Sequence, residues 1–239
     1  RHLILNELHL AHRFVELLEQ DGYYVFWTPS TEHIKSDIER WSRPLEIEGY
    51  TLRPFQNFSL NRALERARQG TDSPDRLYFW NWSAGAGKSY PSGAAARDLF
   101  DSGDIDLVIA CTLSKLKENL RRTFVHPAGL DAVINDGTKD KRRRGYITEH
   151  QVFVMNYEKL WHDESEIAAL TFGRRVLWVL DEGHKLITDS GQNKARMALD
   201  RLTAACEATV WPMSATVVGG NPLRFRDVFS LDGRPARNP

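Results

Sequence analysis

Apolar runs alternate with amphipathic segments along most of this chain. The apolar runs predict five strands, at residues 77–82, 107–111, 152–155, 176–180 and 208–211. Between the strands, apolar residues at helical spacing predict helices at 92–101, 115–124, 164–170 and 193–206, and another precedes them at 57–68. Continuous apolar strands separated by helices predict an α/β fold with a central, mostly parallel sheet covered on both faces.

The first 48 residues have a different pattern. Apolar spacing predicts helices at 3–18 and 31–41, and the aromatic-rich run at 23–27 predicts a short buried strand between them. This block contains no motif that we can interpret. We therefore expect residues 1–48 to form a small α/β accessory segment and residues 49–239 to form the main domain.

Composition limits the partners and the compartment. The 239 residues carry 32 basic and 32 acidic side chains, so a polyanion would have to be held by local basic patches. The two cysteines, Cys111 and Cys206, are far apart, which favours a reducing compartment over a disulfide framework. Without a long apolar stretch or a signal-peptide pattern, we expect an intracellular protein with no membrane partner.

The two ends of the sequence indicate a piece of a longer polypeptide. The first residue is Arg1, not methionine, and the last residues, 232–239, have a loop-like composition. A processed or separately engineered domain is the alternative interpretation.

A glycine-rich segment, Trp82-Ser-Ala-Gly-Ala-Gly-Lys-Ser89, lies between a predicted strand and a predicted helix. A phosphate-binding loop requires this context. Gly85 and Gly87 allow successive N–H groups to converge on an anion, and the next helix directs its positive end at the same point. Lys88 would bridge terminal phosphates, and the Ser89 hydroxyl would bind Mg²⁺.

This loop predicts ATP and Mg²⁺ as cofactors. The residues expected to bind them are Ser83, Ala84, Gly85, Ala86, Gly87, Lys88 and Ser89. Trp82 departs from the full pattern, which has glycine or often alanine at that position. A glycine-rich turn with a surface lysine is the alternative.

Two carboxylates, Asp181 and Glu182, follow the apolar strand at 176–180. In an open parallel sheet, the carboxyl ends of the strands face the ligand crevice. Asp181 is placed to hold Mg²⁺, mostly through water, and Glu182 to orient or deprotonate a water that attacks the γ-phosphate. A solvated acidic pair on a loop is the alternative.

Several segments resemble the motifs of superfamily-two helicases and translocases, most closely the Swi/Snf-like branch that moves on duplex DNA. Asp181-Glu-Gly-His184 resembles the DExH box, and Ser214-Ala-Thr216 resembles motif III. The remaining matches are residues 52–56 to the adenine-reading segment, 107–116 to motif Ia and 152–160 to the region near motif Ib.

This resemblance implies the first RecA-like lobe of a motor, with catalytic residues Lys88, Asp181, Glu182 and His184. Gln56 would hydrogen-bond adenine. Residues implied in nucleic-acid contact or in coupling are Thr112, Ser114, Lys115, Asn156, Tyr157, Ser214 and Thr216. Such motors need a second lobe that supplies arginines, and no matching segment occurs here, so we expect little DNA-stimulated turnover from this chain alone.

The leading hypothesis is the ATP-binding lobe of a DNA translocase or helicase, remodeller-like or restriction-motor-like, that hydrolyses ATP to ADP and phosphate. The alternatives are a P-loop nucleotidase or kinase without a nucleic-acid role, and a catalytically inactive lobe that serves as an assembly module. The basic run 139–144 could lie against DNA, but we favour a solvated loop. Trp80 and Trp82 are expected in the core and not in a base-stacking platform.

Overall fold

The computed structural model describes residues 45–47, 50–68, 77–80, 82, 84–186 and 193–215. The helices predicted at 3–18 and 31–41 and the strand predicted at 23–27 lie outside these residues. Within the described part, no helix is long and apolar enough to cross a bilayer.

The described elements alternate between strands and helices, as predicted. The strands are β1 (Leu45–Ile47), β2 (Tyr50–Leu52), β3 (Leu107–Thr112), β4 (Ala132–Ile134), β5 (Val152–Asn156), β6 (Arg175–Asp181) and β7 (Glu207–Met213). The α-helices are α1 (Pro54–Ala67), α2 (Ser89–Asp101), α3 (Lys117–Leu120), α4 (Lys139–Tyr146), α5 (Glu158–His162), α6 (Glu164–Thr171) and α7 (Lys194–Ala204). Short 3₁₀ turns span Ser114–Leu116 and Gly183–Leu186, and a π turn spans Arg121–Val125.

The chain divides into two compact units, residues 1–62 and 63–239. In the first unit, β1 and β2 pair antiparallel, with Leu45 opposite Leu52, and the chain then enters α1. The predicted division into an accessory segment and a main domain at residue 48 stays a prediction.

A five-stranded parallel sheet organises the second unit. Its strand order is β4-β5-β3-β6-β7, and every neighbouring pair runs parallel. Leu77 and Trp80 extend the sheet beyond β7 through isolated parallel bridges to Val210 and Met213. The RecA-like α/β fold with a parallel sheet is thereby confirmed, although the described part of 77–82 makes two bridges where the pattern predicts a continuous strand.

The strands of this parallel sheet are apolar on both faces, as expected where helices cover both faces. Every residue of β3 and β5 is buried, and so are the five central residues of β6. Ile109, Phe153 and Trp178 belong to one core cluster with residues of α5, α6 and α7. On β7, Met213 contacts Ser92 of α2, so helices cover the sheet as expected for a parallel arrangement.

The basic run at 139–144 is helical, so its interpretation as a loop was wrong. Thr138 caps α4 by accepting a hydrogen bond from the backbone N–H of Lys141. One turn further, the Arg142 guanidinium donates two hydrogen bonds, of 2.6 and 2.7 Å, to the Asp163 carboxylate. Partners elsewhere in the sequence therefore hold this charged segment as a helix.

Candidate functional site

The glycine-rich loop has the backbone needed to enclose an anion. Gly85 and Gly87 have φ angles of 78° and 76°, in the left-handed region that favours glycine. Helix α2 begins directly after the loop, at Ser89, with no acidic residue in its first turn and no side-chain cap at Lys88. The N–H groups of its first turn and the helix dipole thus favour a negative ligand there. Ser83 lies outside the described residues.

Lys88 is bonded to its own loop and interacts electrostatically with the acidic pair. Its ammonium group donates a 2.8 Å hydrogen bond to the backbone carbonyl of Trp82, at the start of the loop. Burial lowers the pKa of Lys88, while the negative charges of Glu182 and Asp181 act in the opposite direction. The lysine and both carboxylates are therefore close enough to interact electrostatically.

Sheet register explains this proximity. Asp181 at the end of β6 and Trp80 before the loop are both paired with Met213 of β7. Two strand spacings, about 10 Å, therefore separate the strand end that carries the acidic pair from the one that leads into the loop. A lysine side chain can span much of that gap.

The Asp181 carboxylate is held by a neighbouring strand. Thr112, the last residue of β3, donates its hydroxyl to Asp181 Oδ2 at 2.7 Å. Burial raises the pKa of Asp181, and the nearby Glu182 charge adds to this, whereas the Thr112 hydrogen bond and Lys88 oppose it. The group is thus a partly buried carboxylate beside a cation.

Glu182 has an unusual backbone. Its φ of 56° is the only positive value among the non-glycine residues that the structure describes. Its Oε2 lies 3.1 Å from Nδ1 of His184, and the same nitrogen lies 2.8 Å from Oγ of Ser214. This chain of contacts connects the end of β6 to the residue directly after β7. Thr216 lies outside the described residues.

Gln56 belongs to the first compact unit. Its side chain is buried, and its Oε1 accepts a 2.9 Å hydrogen bond from the backbone N–H of Arg53. Its implied role in reading adenine stays a prediction.

The residues implied in nucleic-acid contact separate into two groups. Ser114 and Lys115, in the turn after β3, are exposed. Thr112, Asn156 and Tyr157 are instead buried. Their side chains bond within the lobe: Thr112 and Tyr157 to Asp181, and Asn156 to Glu158. Their implied role in nucleic-acid contact or coupling stays a prediction, and in this structure the side-chain bonds of all three lie within the lobe.

The structure also tests the assignment of two tryptophans to the core. Trp80 and Trp82 are buried, with ring centroids 5.6 Å apart, so their assignment to the core is confirmed.

The hydrogen bond between Thr112 and Asp181 was not predicted from the sequence. A threonine at a strand end signals such a bond only once β3 is known to lie beside β6.

Comparisons with known proteins agree with this fold. Residues 49–218 match the family model described as "Type III restriction enzyme, res subunit". The chain is similar to the Sulfolobus solfataricus SWI2/SNF2 ATPase core solved with double-stranded DNA (17% identity, TM-score 0.61), covering 80% of this chain and 37% of that one. A search of curated proteins finds no match.

The UvsW helicase of bacteriophage T4 is a further structural neighbour. Its crystal structure gives 16% identity and a TM-score of 0.53, covering 93% of this chain and 76% of that one. The chain thus spans much of UvsW but little more than a third of the archaeal core. At 16–17% identity these structures show the fold alone, and it is the family match that confirms the predicted superfamily-two helicase motor lobe. The chain belongs to the family of the type III restriction enzyme res subunit.

Proposed function

We propose that this chain is the ATP-binding lobe of an ATP-dependent DNA translocase or helicase. The observation that carries the proposal is that the acidic pair and the glycine-rich loop lie at the same edge of the sheet, since Asp181 and Trp80 are both paired with Met213. The lysine and the glycine-rich loop suit phosphate groups, and the two acidic groups suit Mg²⁺. Together they suit a magnesium–triphosphate better than a free metal ion or a free anion.

The residues present fit this ligand. The loop from Ala84 to Gly87 and the first turn of α2 offer N–H groups to phosphates. Ser89 and Asp181 supply the oxygen ligands that Mg²⁺ prefers, with the carboxylate acting mostly through water. When bound, Mg²⁺ would neutralise phosphate charge and polarise the bond to the γ-phosphate.

Each side chain then has a defined task. Lys88 exchanges its hydrogen bond to the Trp82 carbonyl for the β- and γ-phosphate oxygens. Glu182 orients or deprotonates the attacking water. His184 connects Glu182 to Ser214, so a shift at the end of β7 reaches the water-activating group.

On this proposal, nucleic acid contacts the exposed turn that carries Ser114 and Lys115. A lysine contact to phosphate adds affinity without sequence preference and makes binding salt-dependent. A second lobe would complete the nucleotide site with arginines. We therefore expect slow hydrolysis that duplex DNA stimulates little in this chain alone.

The test combines duplex-DNA binding at increasing salt with ATP hydrolysis with and without DNA. We expect DNA binding that falls steeply between about 50 and 200 mM salt. Lys115→Ala should weaken this binding without changing nucleotide affinity. Arg174→Ala is the matched control, because this exposed cation directly precedes β6, at the opposite end of that strand from Asp181.

Three outcomes would contradict parts of the proposal. Nucleotide binding without salt-sensitive DNA binding would favour a P-loop ATPase with no nucleic-acid role. A folded chain that binds no nucleotide would favour an inactive assembly module. Strong DNA-stimulated turnover would show that no second lobe is needed.

A further inference from the structure

Asp181 accepts hydrogen bonds from two hydroxyl groups, one at the end of β3 and one directly after β5. Thr112, at the end of β3, donates to its carboxylate Oδ2 at 2.7 Å. Tyr157, directly after β5, donates its phenol to the backbone carbonyl of Asp181 at 2.6 Å. Because the strand order is β5-β3-β6, both residues lie on the β3 side of β6.

Packing alone does not require these hydroxyls. Thr112 is fully buried and Tyr157 nearly so, and Tyr157 belongs to the apolar core cluster. Valine would fill the volume of Thr112, and phenylalanine would fill most of that of Tyr157. A buried hydroxyl is stable only with a partner, and here both partners belong to the same residue.

The two bonds restrict different degrees of freedom. The Thr112 bond fixes the rotation of the Asp181 side chain, and the Tyr157 bond fixes the backbone where β6 ends. The surrounding charges are Lys88, which attracts the carboxylate, and Glu182, which repels it. Without the hydroxyls, this attraction could draw Asp181 towards Lys88 and away from a metal.

We propose that Thr112 and Tyr157 are positioning residues that aim the Asp181 carboxylate at Mg²⁺. The proposal rests on the proposed function, in which Asp181 holds that ion. Mg²⁺ demands nearly ideal octahedral geometry. Loss of a group that orients a metal-holding side chain commonly lowers metal affinity or activity about 10- to 100-fold. The two residues act through Asp181 and touch neither nucleotide nor metal.

The test measures binding of a fluorescent ATP analogue to the full chain while Mg²⁺ is titrated, and again with the metal chelated. For Thr112→Val we expect the Mg²⁺ midpoint to rise about 10-fold, with nucleotide affinity in chelator unchanged. Thr112→Ser keeps the hydroxyl and should restore the wild-type midpoint. Tyr157→Phe should shift the midpoint in the same direction as valine.

The results separate this proposal from a structural role and from the proposed function itself. An unchanged Mg²⁺ midpoint in Thr112→Val would overturn the positioning role. So would an equal loss of nucleotide affinity with and without Mg²⁺, which indicates general disruption of the fold. If the wild-type chain bound nucleotide without any Mg²⁺ dependence, the proposed function would fail first, whatever the variants did.

Discussion

Glu182 has an energetically unfavourable backbone conformation and, on the proposed function, activates the attacking water. A non-glycine residue in the left-handed region costs about 1–2 kcal/mol relative to ordinary backbone. Glycine would adopt the observed φ of 56° without that penalty. Local backbone stability does not explain a glutamate at this position, which is consistent with the proposed role of its carboxylate.

Replacing Glu182 should separate stability from hydrolysis. For Glu182→Gln we expect hydrolysis to fall about 100- to 10,000-fold, because general-base assistance is lost, with nucleotide affinity unchanged. Glu182→Gly should be equally inactive and should unfold at a higher denaturant concentration. Steady-state or single-turnover hydrolysis and denaturant unfolding measure the two effects. Wild-type hydrolysis by Glu182→Gln would contradict the assignment.

Individual side chains show how far local sequence reasoning extends. The positions of Lys88 in its loop and of Asp181 at a strand end follow from short patterns, and the structure places both as expected. The bond between Thr112 and Asp181 was not predicted, because the two residues are 69 positions apart in the sequence. Only the order of the strands brings such residues together, and the sequence of a single chain does not state that order.

At the scale of elements, α4 shows how a distant partner determines local structure. Its six-residue run from Lys139 to Arg144 has five basic side chains, which by themselves favour a solvated loop. The structure instead buries the Asp163 side chain, which is 3% exposed, against Arg142. Tyr146 also donates to this carboxylate, at 3.1 Å, so α4 is anchored at the start of α6.

This ion pair should be a pH-dependent source of stability. Burial alone would raise the pKa of Asp163, but the hydrogen bonds and charge of Arg142, with Tyr146, hold it below its usual value. A lowered pKa stabilises the fold above the unfolded-state pKa of about 4, and that contribution is lost as pH falls through the folded-state value.

For Asp163→Asn we expect a loss of about 3–5 kcal/mol at pH 7, because Arg142 keeps its charge in a site without a counter-ion. The difference from wild type should shrink as pH falls below about 4. Asp101→Asn, at an exposed pair with Arg97, should change stability by less than about 1 kcal/mol. Denaturant unfolding at several pH values measures this, and equal effects of the two variants would contradict it.

Helix α2 packs against backbone at Gly93. A Cβ atom built on this glycine would lie 2.2 Å from the carbonyl oxygen of Phe124, in the π turn. We expect Gly93→Ala to lower the free energy of unfolding by about 1–3 kcal/mol, although alanine is the better helix former. Unfolding experiments decide the sign, and a stabilised variant would show that helix propensity outweighs packing here.

At the scale of the whole molecule, hydrophobic patterning predicts the architecture but not its details. Continuous apolar runs give four of the five strands of the parallel sheet within one or two residues at either end. The three-residue β4 was missed, since it lies at the sheet edge and is only partly buried. The segment 77–80 pairs with β7 only through isolated bridges. The apolar pattern does not distinguish isolated bridges from a continuous strand.

On the proposed function, the glycine-rich loop and the acidic strand end bind one magnesium–nucleotide between them. Residues distant in sequence that share a ligand should be energetically coupled, whereas independent sites add.

The most direct test is a double-mutant cycle on Mg²⁺–nucleotide affinity with Lys88→Ala, Asp181→Ala and the combined variant. We expect each single change to weaken binding at least about 10-fold and the double change to weaken it by clearly less than the product. Purely multiplicative losses, or a Lys88→Ala variant that binds like wild type, would contradict the claim that one ligand joins these residues.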